Sequence, residues 1–343
     1  MKQLLNTLYI TTPDTYLALD GENIVVLKDD EDLIRVPLHN LEGIITFGYA
    51  GASPKLMGAC ADRKISVSFL TANGRFLASV VGTEQGNVLL RKKQYRISDD
   101  ENGSVAIARN ILLGKLYNSR GVIERSIRDH AMRIDAIKLK AASGFISESI
   151  QRMRIVETLD SARGIEGEAA TRYFSIFDEL ILQKKEDFFF HARSRRPPSD
   201  RVNAMLSLAY TLLSAEVASA VSSVGLDPFV GFLHRDRPGR RSLSLDLMEE
   251  LRSVFADRFV LTMINTRQIE ASDFLQSEDG SILLRDEPRK KFLTAWQVRK
   301  QEKIEHPFLK EKIEWGLVPY VQASLLARYL RGDLDEYPPF LWK

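Results

Sequence analysis

The apolar residues of this chain change their period near residue 100, and a fold must accommodate both periods. Before that point "TYLALDGENIVVL" and "ISVSFLTANGRFLASVV" place short apolar runs on either side of Asp20-Gly21 and Asn73-Gly74. Those dipeptides supply the positive φ angles of tight hairpin turns. "DLIRVPL" and "GIITFG" predict further strands. One short helix interrupts them: Ser53 is the N-cap, Pro54 takes the first helical position, and Leu56 and Cys60 share a face. Beyond residue 104, "VAIARNILLGKLYNSRGVIERSIRDHAMRIDAIKLKAA" repeats its apolar residues at spacings of three and four. Helices are also expected at about 145–159, 165–184, 201–222, 244–257 and 290–304, with another near the C-terminus. The polar, acidic stretch "RISDDENGS" between the two patterns predicts a linker. The expected fold class is α+β, with a small β-rich N-terminal domain over residues 1–97, a linker over 98–104 and a larger all-α domain over 105–343.

A chain of 343 residues can bury two cores, and its 44% hydrophobic content is that of a globular protein. A net charge of +2 excludes a uniformly basic coat but permits a local cationic surface. Cys60 is alone, so no intrachain disulfide forms, which fits a reducing cytoplasm. No Cys/His cluster has zinc-finger spacing. The N-terminus lacks a signal-peptide core, and no run approaches the roughly 18 apolar residues of a membrane span. The expected protein is soluble and cytoplasmic, with no membrane partner.

"SARGIEGEAATRYFSIFDEL" raises the first chemical question. Glu166, Ala169, Ala170, Tyr173, Phe177 and Leu180 fall on one helical stripe, which is apolar except for Glu166. A carboxylate on a buried face is costly unless an arginine, a metal or a helix N-terminus compensates it. Gly164 and Gly167 bracket it where the helix is expected to begin, and glycines let a backbone or ligand approach. Read alone, a glutamate in the first turn that stabilises its own helix is the simpler account. Glu168 can pair with Arg172 on the surface.

The second question comes from "GFLHRDRPGRRSLSLDLMEELR". His234 lies among Arg235, Arg237, Arg240 and Arg241, whose charge favours the neutral imidazole that binds metals. In the helix that follows, Leu247, Met248, Leu251, Val254 and Phe255 form the apolar face, with Asp246 and Glu249 opposite and Glu250 at the boundary. A solvated acidic face balancing the arginines is the plain reading. Taken together, a glutamate, a neutral histidine and a second acid supply oxygen and nitrogen ligands suited to Mg²⁺ or Mn²⁺. Arginines beside such a site can hold phosphates, and the pairing points to phosphoryl transfer.

"GIEGEAATRYF", "RRPPSDRVNAMLSLAYTLL" and "GFLHRDRPGRRSLSLDLMEELR" resemble, in that order, the signature segments of the CRISPR-associated adaptation integrase-endonuclease family, Cas one; "ARNILLGKLYNSR" is similar to its first long helix. The ending "EYPPFLWK" resembles the type I-C branch. The likeness spans essentially the whole chain. It implies that Glu166, His234 and Glu249 bind the catalytic metal, with Asp246 as the other candidate for the third ligand. Asn203 matches an asparagine near the family's site, and Tyr173 is a further supporting candidate. It also implies insertion of short duplex DNA (the prespacer) into the CRISPR repeat by transesterification, a homodimer formed through the N-terminal domain, and a Cas two partner. Arg193, Arg195, Arg196, Arg235, Arg237, Arg240 and Arg241 are candidates for contacts to the DNA backbone. Three other readings stay open at this point: a metal-dependent nuclease acting on branched repair intermediates, a non-catalytic DNA-binding scaffold, and a helical-domain enzyme acting on small phosphoesters.

One further helix carries an excess of positive charge. From Arg289, residues Phe292, Leu293, Trp296 and Ile304 form an apolar stripe; Lys290 and Lys291 lie outside it, and Lys300 and Lys303 fall within it and must snorkel to its rim. Lys290 and Lys291 are therefore expected to face DNA bound at the metal site. His306, before Pro307, is expected to mark a helix end.

Overall fold

A computed structural model of the chain describes residues 6–29, 31–48, 50–71, 76–80, 88–194, 197–278 and 280–342. It divides into two compact units, one of Met1–Gln85, Arg285–Lys303 and Glu314–Leu317, the other of Gly86–Leu284, Ile304–Ile313 and Val318–Lys343.

The first unit holds two sheets. Strands β1 (Thr7–Ile10), β2 (Tyr16–Asp20), β3 (Asn23–Lys28), β4 (Glu31–Pro37) and β5 (Gly43–Phe47) precede helix α1 (Pro54–Asp62), which is followed by β6 (Ser66–Leu70) and β7 (Phe76–Val80). β2, β3 and β4 form an antiparallel sheet, with Asp20 opposite Asn23 across the turn that Asp20-Gly21 predicts. The second sheet has the order β1-β5-β6-β7, in which β5 runs parallel to both β1 and β6 and only β6 and β7 are antiparallel. The hairpin reading therefore holds for one sheet and only for the edge of the other. Parallel neighbours need a crossover, and α1 provides it between β5 and β6. Ser53 caps α1, its Oγ accepting from the Leu56 N–H at 3.2 Å, and Leu56 and Cys60 are buried in one core with Ile44 and Val67. Asn73 and Gly74 lie outside the described residues.

The second unit is helical. Helices α2 (Val88–Asp99) and α3 (Glu101–His130) replace the expected linker over 98–104. The polar run is a helix start: Asp100 Oδ2 accepts from the Gly103 N–H at 2.8 Å and caps α3. Next come α4 (Ala136–Arg154), α5 (Leu159–Ser175) and α6 (Arg201–Ser223). α6 has the length and hydropathy of a membrane span, contrary to expectation, but most of that stretch is buried as core, including Val202, Leu206, Leu212 and Leu213. α7 (Ser242–Met248) leads through a turn at residues 249–251 into a π-helical stretch, Arg252–Asp257, and then α8 (Arg258–Asn265). β8 (Phe274–Gln276) and β9 (Ile282–Leu284) close a hairpin.

The chain then re-enters the first unit as α9 (Asp286–Gln301) before α10 (Val318–Arg331) in the second. Phe292, Leu293 and Trp296 are buried as the apolar stripe requires. Lys300 does not snorkel. It is buried, and its ammonium donates to Thr7 Oγ1 at 3.2 Å. His306 follows an extended segment rather than a helix.

Candidate active site

The loop before α7 is built around Asp246. Its Oδ2 accepts from the Phe232 and Leu233 N–H groups at 2.6 and 3.0 Å, and its Oδ1 from the His234 N–H at 3.0 Å. The same Oδ1 lies 2.6 Å from His234 Nδ1. Asp246 is fully buried, and its four contacts use both carboxylate oxygens. It cannot also be a free metal ligand; it holds the imidazole, so that Nδ1–H donates to the carboxylate and the Nε2 lone pair is left for another partner. A Cβ on Gly231 would lie 2.7 Å from Asp246 Oδ2 and 2.9 Å from the Ser242 backbone carbon, so no other residue fits this approach.

Glu166 sits in the middle of α5 rather than its first turn, because the helix begins earlier, at Leu159 capped by Thr158. The helix N-terminus therefore does not compensate its charge. Lys115 on α3 does: its ammonium bonds Glu166 Oε1 and lies 2.7 Å from Glu249 Oε2. The other Glu249 oxygen pairs with Arg252 at 2.9 Å. Burial would raise the Glu249 pKa, but the charges of Arg252 and Lys115 outweigh it and hold the carboxyl down at about 2. Arg163, three residues before Glu166, donates to the Leu233 carbonyl through Nε at 3.0 Å and Nη2 at 2.6 Å. It thus ties α5 to the residue before His234, which brings Glu166, His234 and Glu249 into one neighbourhood.

This donor set fits a divalent ion. Glu249 Oε2 is buried, and its partner there is the ammonium of Lys115 at 2.7 Å. Two carboxylates and an imidazole nitrogen are ligands for Mg²⁺ or Mn²⁺. Among the described residues no three His, Cys, Asp or Glu side chains are already at ligand spacing; the ammonium of Lys115 lies between Glu166 and Glu249.

The family model for CRISPR associated protein Cas1 matches residues 8–298. The chain belongs to the Cas1 family. It is 49% identical over 343 residues to CRISPR-associated endonuclease Cas1 1 of Chlorobaculum tepidum, and 51% identical over 347 residues to CRISPR-associated endonuclease Cas1 2 of Rhodospirillum rubrum, each match covering all of both chains. Among solved structures, a casposase bound to integration product is 25% identical with a TM-score of 0.84, over 98% of this chain and 93% of that one. A Cas1 protein of Thermotoga maritima shares the fold at 22% identity and a TM-score of 0.81, over 95% of this chain and 97% of that one.

Around the trio, this Cas1 chain departs from a sequence-based picture in three ways. Asp246, Glu249 and Glu250 are all buried, so the acids of the helix do not form a solvated face. The turn and the π-helical stretch interrupt helical phase, and side chains of α3, α10 (Val318–Arg331) and the C-terminal tail enclose the segment. Glu250 Oε2 accepts from Gln322 Nε2 at 2.7 Å, Tyr337 OH at 3.1 Å and the Phe340 N–H at 3.3 Å. Burial nevertheless pushes its pKa up to about 8. Tyr173 and Tyr210 donate to Asp257, at 3.1 and 2.6 Å, where burial raises the carboxyl to about 6. Glu168 pairs with Arg152 at 2.8 Å.

The arginine candidates divide. Arg193 is engaged inside the unit, donating to Asn203 Oδ1 at 2.6 Å and stacking on Tyr210. Asn203 is buried and locks the loop before α6, its Nδ2 donating to the Ala192 carbonyl at 2.8 Å and to Asp200 at 2.6 Å. Arg195 and Arg196 lie outside the described residues. Arg235 and Arg237 are exposed, Arg235 pairing with Asp160 at 3.1 Å; Arg240 and Arg241 are half-buried. Lys290 is half-buried, pairing with Glu287 at 2.7 Å, and Lys291 is exposed on the same helix. That helix belongs to the β-rich unit, not to the unit that carries the trio. Lys115, Arg163 and Arg252 were not found by sequence reasoning. Two of them lie in segments that carried a signal: Lys115 in the stretch similar to the family's first helix, and Arg252 at the end of the third signature segment.

Proposed function

We propose that this chain is a metal-dependent DNA endonuclease and integrase of CRISPR spacer acquisition, of the type I-C branch, acting in the cytoplasm as a homodimer with Cas2. The observation that carries this reading is the ionised, buried Glu249 placed with Glu166 beside an imidazole that Asp246 orients. The casposase bound to integration product supports DNA strand transfer on this fold. Glu166, His234 through Nε2, and Glu249 would hold Mg²⁺ or Mn²⁺, which supplies Lewis-acid activation of a phosphodiester and of the attacking hydroxyl. Asp246 fixes the imidazole, and Arg252 keeps one Glu249 oxygen in place. In integration the 3′-hydroxyl oxygen of the incoming strand bonds to phosphorus in the repeat while the bond to the leaving 3′-oxygen breaks; that oxygen takes up a proton. Exposed Arg235, Arg237 and Lys291, with half-buried Lys290, Arg240 and Arg241, contact the DNA backbone without reading its sequence. The N-terminal β-rich unit carries the dimer contact.

The test is an integration assay with short duplex DNA, a supercoiled repeat plasmid, Cas2 and Mn²⁺. The wild type joins duplex to repeat, and Glu166→Ala abolishes joining while its melting temperature stays close to the wild type. Cleavage of branched DNA without joining would favour a repair nuclease. Duplex binding with no metal-dependent cleavage would favour a scaffold.

A further inference from the structure

We infer that Lys115 is a built-in counter-cation that occupies the place of the divalent ion between Glu166 and Glu249, and that it withdraws when the ion binds. The inference rests on the reading of those two carboxylates as metal ligands. Lys115 comes from α3, which carries none of the proposed ligands, yet its ammonium touches Glu166 and lies 2.7 Å from Glu249 Oε2. Its side chain is only 13% exposed. The two acids come from different segments, and two nearby negative charges in a poorly hydrated place repel unless a cation lies between them. The remaining Glu249 oxygen is committed to Arg252, so the oxygen facing Lys115 is the one a metal would take.

Ammonium and ion cannot share these atoms. A divalent ion of this class binds carboxylate oxygens at roughly 2.0–2.2 Å, which would set it against the ammonium with strong repulsion and compete for the same lone pairs. Of the two cations on Glu249, Lys115 is the one built to leave. A lysine carries a compact charge on a flexible stem, whereas an arginine fork is rigid, and the Arg252 guanidinium is also stacked on Tyr210 at 5.3 Å. Lys115 lines a cavity with Ser119, Ala170 and Phe174, which gives its stem room to turn. Lys115 is thus a positioning residue: it keeps the ligand carboxylates together before the metal arrives, and metal binding is an exchange of cations.

The test labels wild-type protein with an amine-acylating reagent, with and without Mn²⁺ and without DNA, and reads modification of Lys115 by mass spectrometry. Calorimetry follows Mn²⁺ binding in parallel for wild type, Glu166→Ala and Lys115→Met. Lys115 should be protected without metal and label at least about fivefold faster with it, and Lys115→Met should bind Mn²⁺ at least about threefold more tightly than the wild type, since no cation need be displaced. Unchanged labelling in a protein that binds Mn²⁺ through Glu166 would overturn the inference and leave the functional reading intact. Weaker or equal Mn²⁺ binding by a folded Lys115→Met protein would do the same. A wild type that binds no Mn²⁺ overturns both.

Discussion

On one side of the turn after α7, Arg252 and Lys115 flank Glu249; on the other, Gln322, Tyr337 and the Phe340 N–H surround Glu250. Both carboxyls are buried, and burial alone raises the pKa of any carboxyl. On the cationic side it falls to about 2, while on the neutral side it rises to about 8, despite three hydrogen bonds to Glu250 Oε2. Residue type and depth are the same and the positions are consecutive, so the neighbours' charge makes the difference. The dipoles around Glu250 hold it in place without ionising it, whereas the full charges of Arg252 and Lys115 keep Glu249 ionised at neutral pH. A metal ligand must be ionised and a structural clasp need not be, and each side supplies the state its acid requires.

The strongest way to break this contrast is Glu249→Gln. It leaves Lys115 and Arg252 short of a charge partner and should cost about 3–5 kcal/mol of stability in urea unfolding, together with all metal-dependent cleavage. If it proves as stable as Glu250→Gln, the cationic side does not hold the fold. Glu250→Gln is expected to change stability at neutral pH by only about 1 kcal/mol but to alter its pH dependence. The folded pKa of Glu250 is raised from 4.5 to about 8, so its contribution is complete below the unfolded pKa and is lost as pH rises through about 8. Glu249 has the opposite sign: its contribution is present above 4.5 and is lost as pH falls through about 2. Melting curves against pH should therefore lose their alkaline limb in Glu250→Gln and their acid limb in Glu249→Gln. The smallest effect belongs to Gly114→Ala on α3, where a Cβ would lie 3.1 Å from Glu250 Cγ and 3.4 Å from Pro339 Cβ. A loss of about 1 kcal/mol is expected, with Mn²⁺ affinity unchanged in calorimetry. A drop in affinity would show that the two sides are mechanically coupled.

What could be read from sequence was local. The Ser53 cap, the Asp20-Gly21 turn and the long helical periods depend on neighbours a few residues away, and the structure contains them. Parallel pairing of β1, β5 and β6 depends on strands far apart in the chain, and no short pattern encodes it. Asp100 misled because a helix cap and a linker use the same polar residues. At the site, Glu166 stood out as the one acid on an apolar stripe. Asp246 and Glu249 could not be separated by spacing, since they lie one turn apart; what distinguishes them is that loop N–H groups from Phe232, Leu233 and His234 claim Asp246. Lys115 was hidden for the same reason as the parallel strands, with its partner Glu166 51 residues away.

The π-helical stretch Arg252–Asp257 follows the turn that carries Glu249 and ends on the aspartate that both tyrosines bond. An α-helix turns about 100° per residue, and a π-helical turn spends more residues on each revolution. The stretch therefore behaves like an insertion absorbed into a helix. Removing one residue from it would restore ordinary winding and swing Asp257 away from Tyr173 and Tyr210 while Glu249 stayed where α7 delivers it. The length of this segment is thereby fixed as firmly as the identity of its acids: it can exchange side chains, but it has no spare residue to lose.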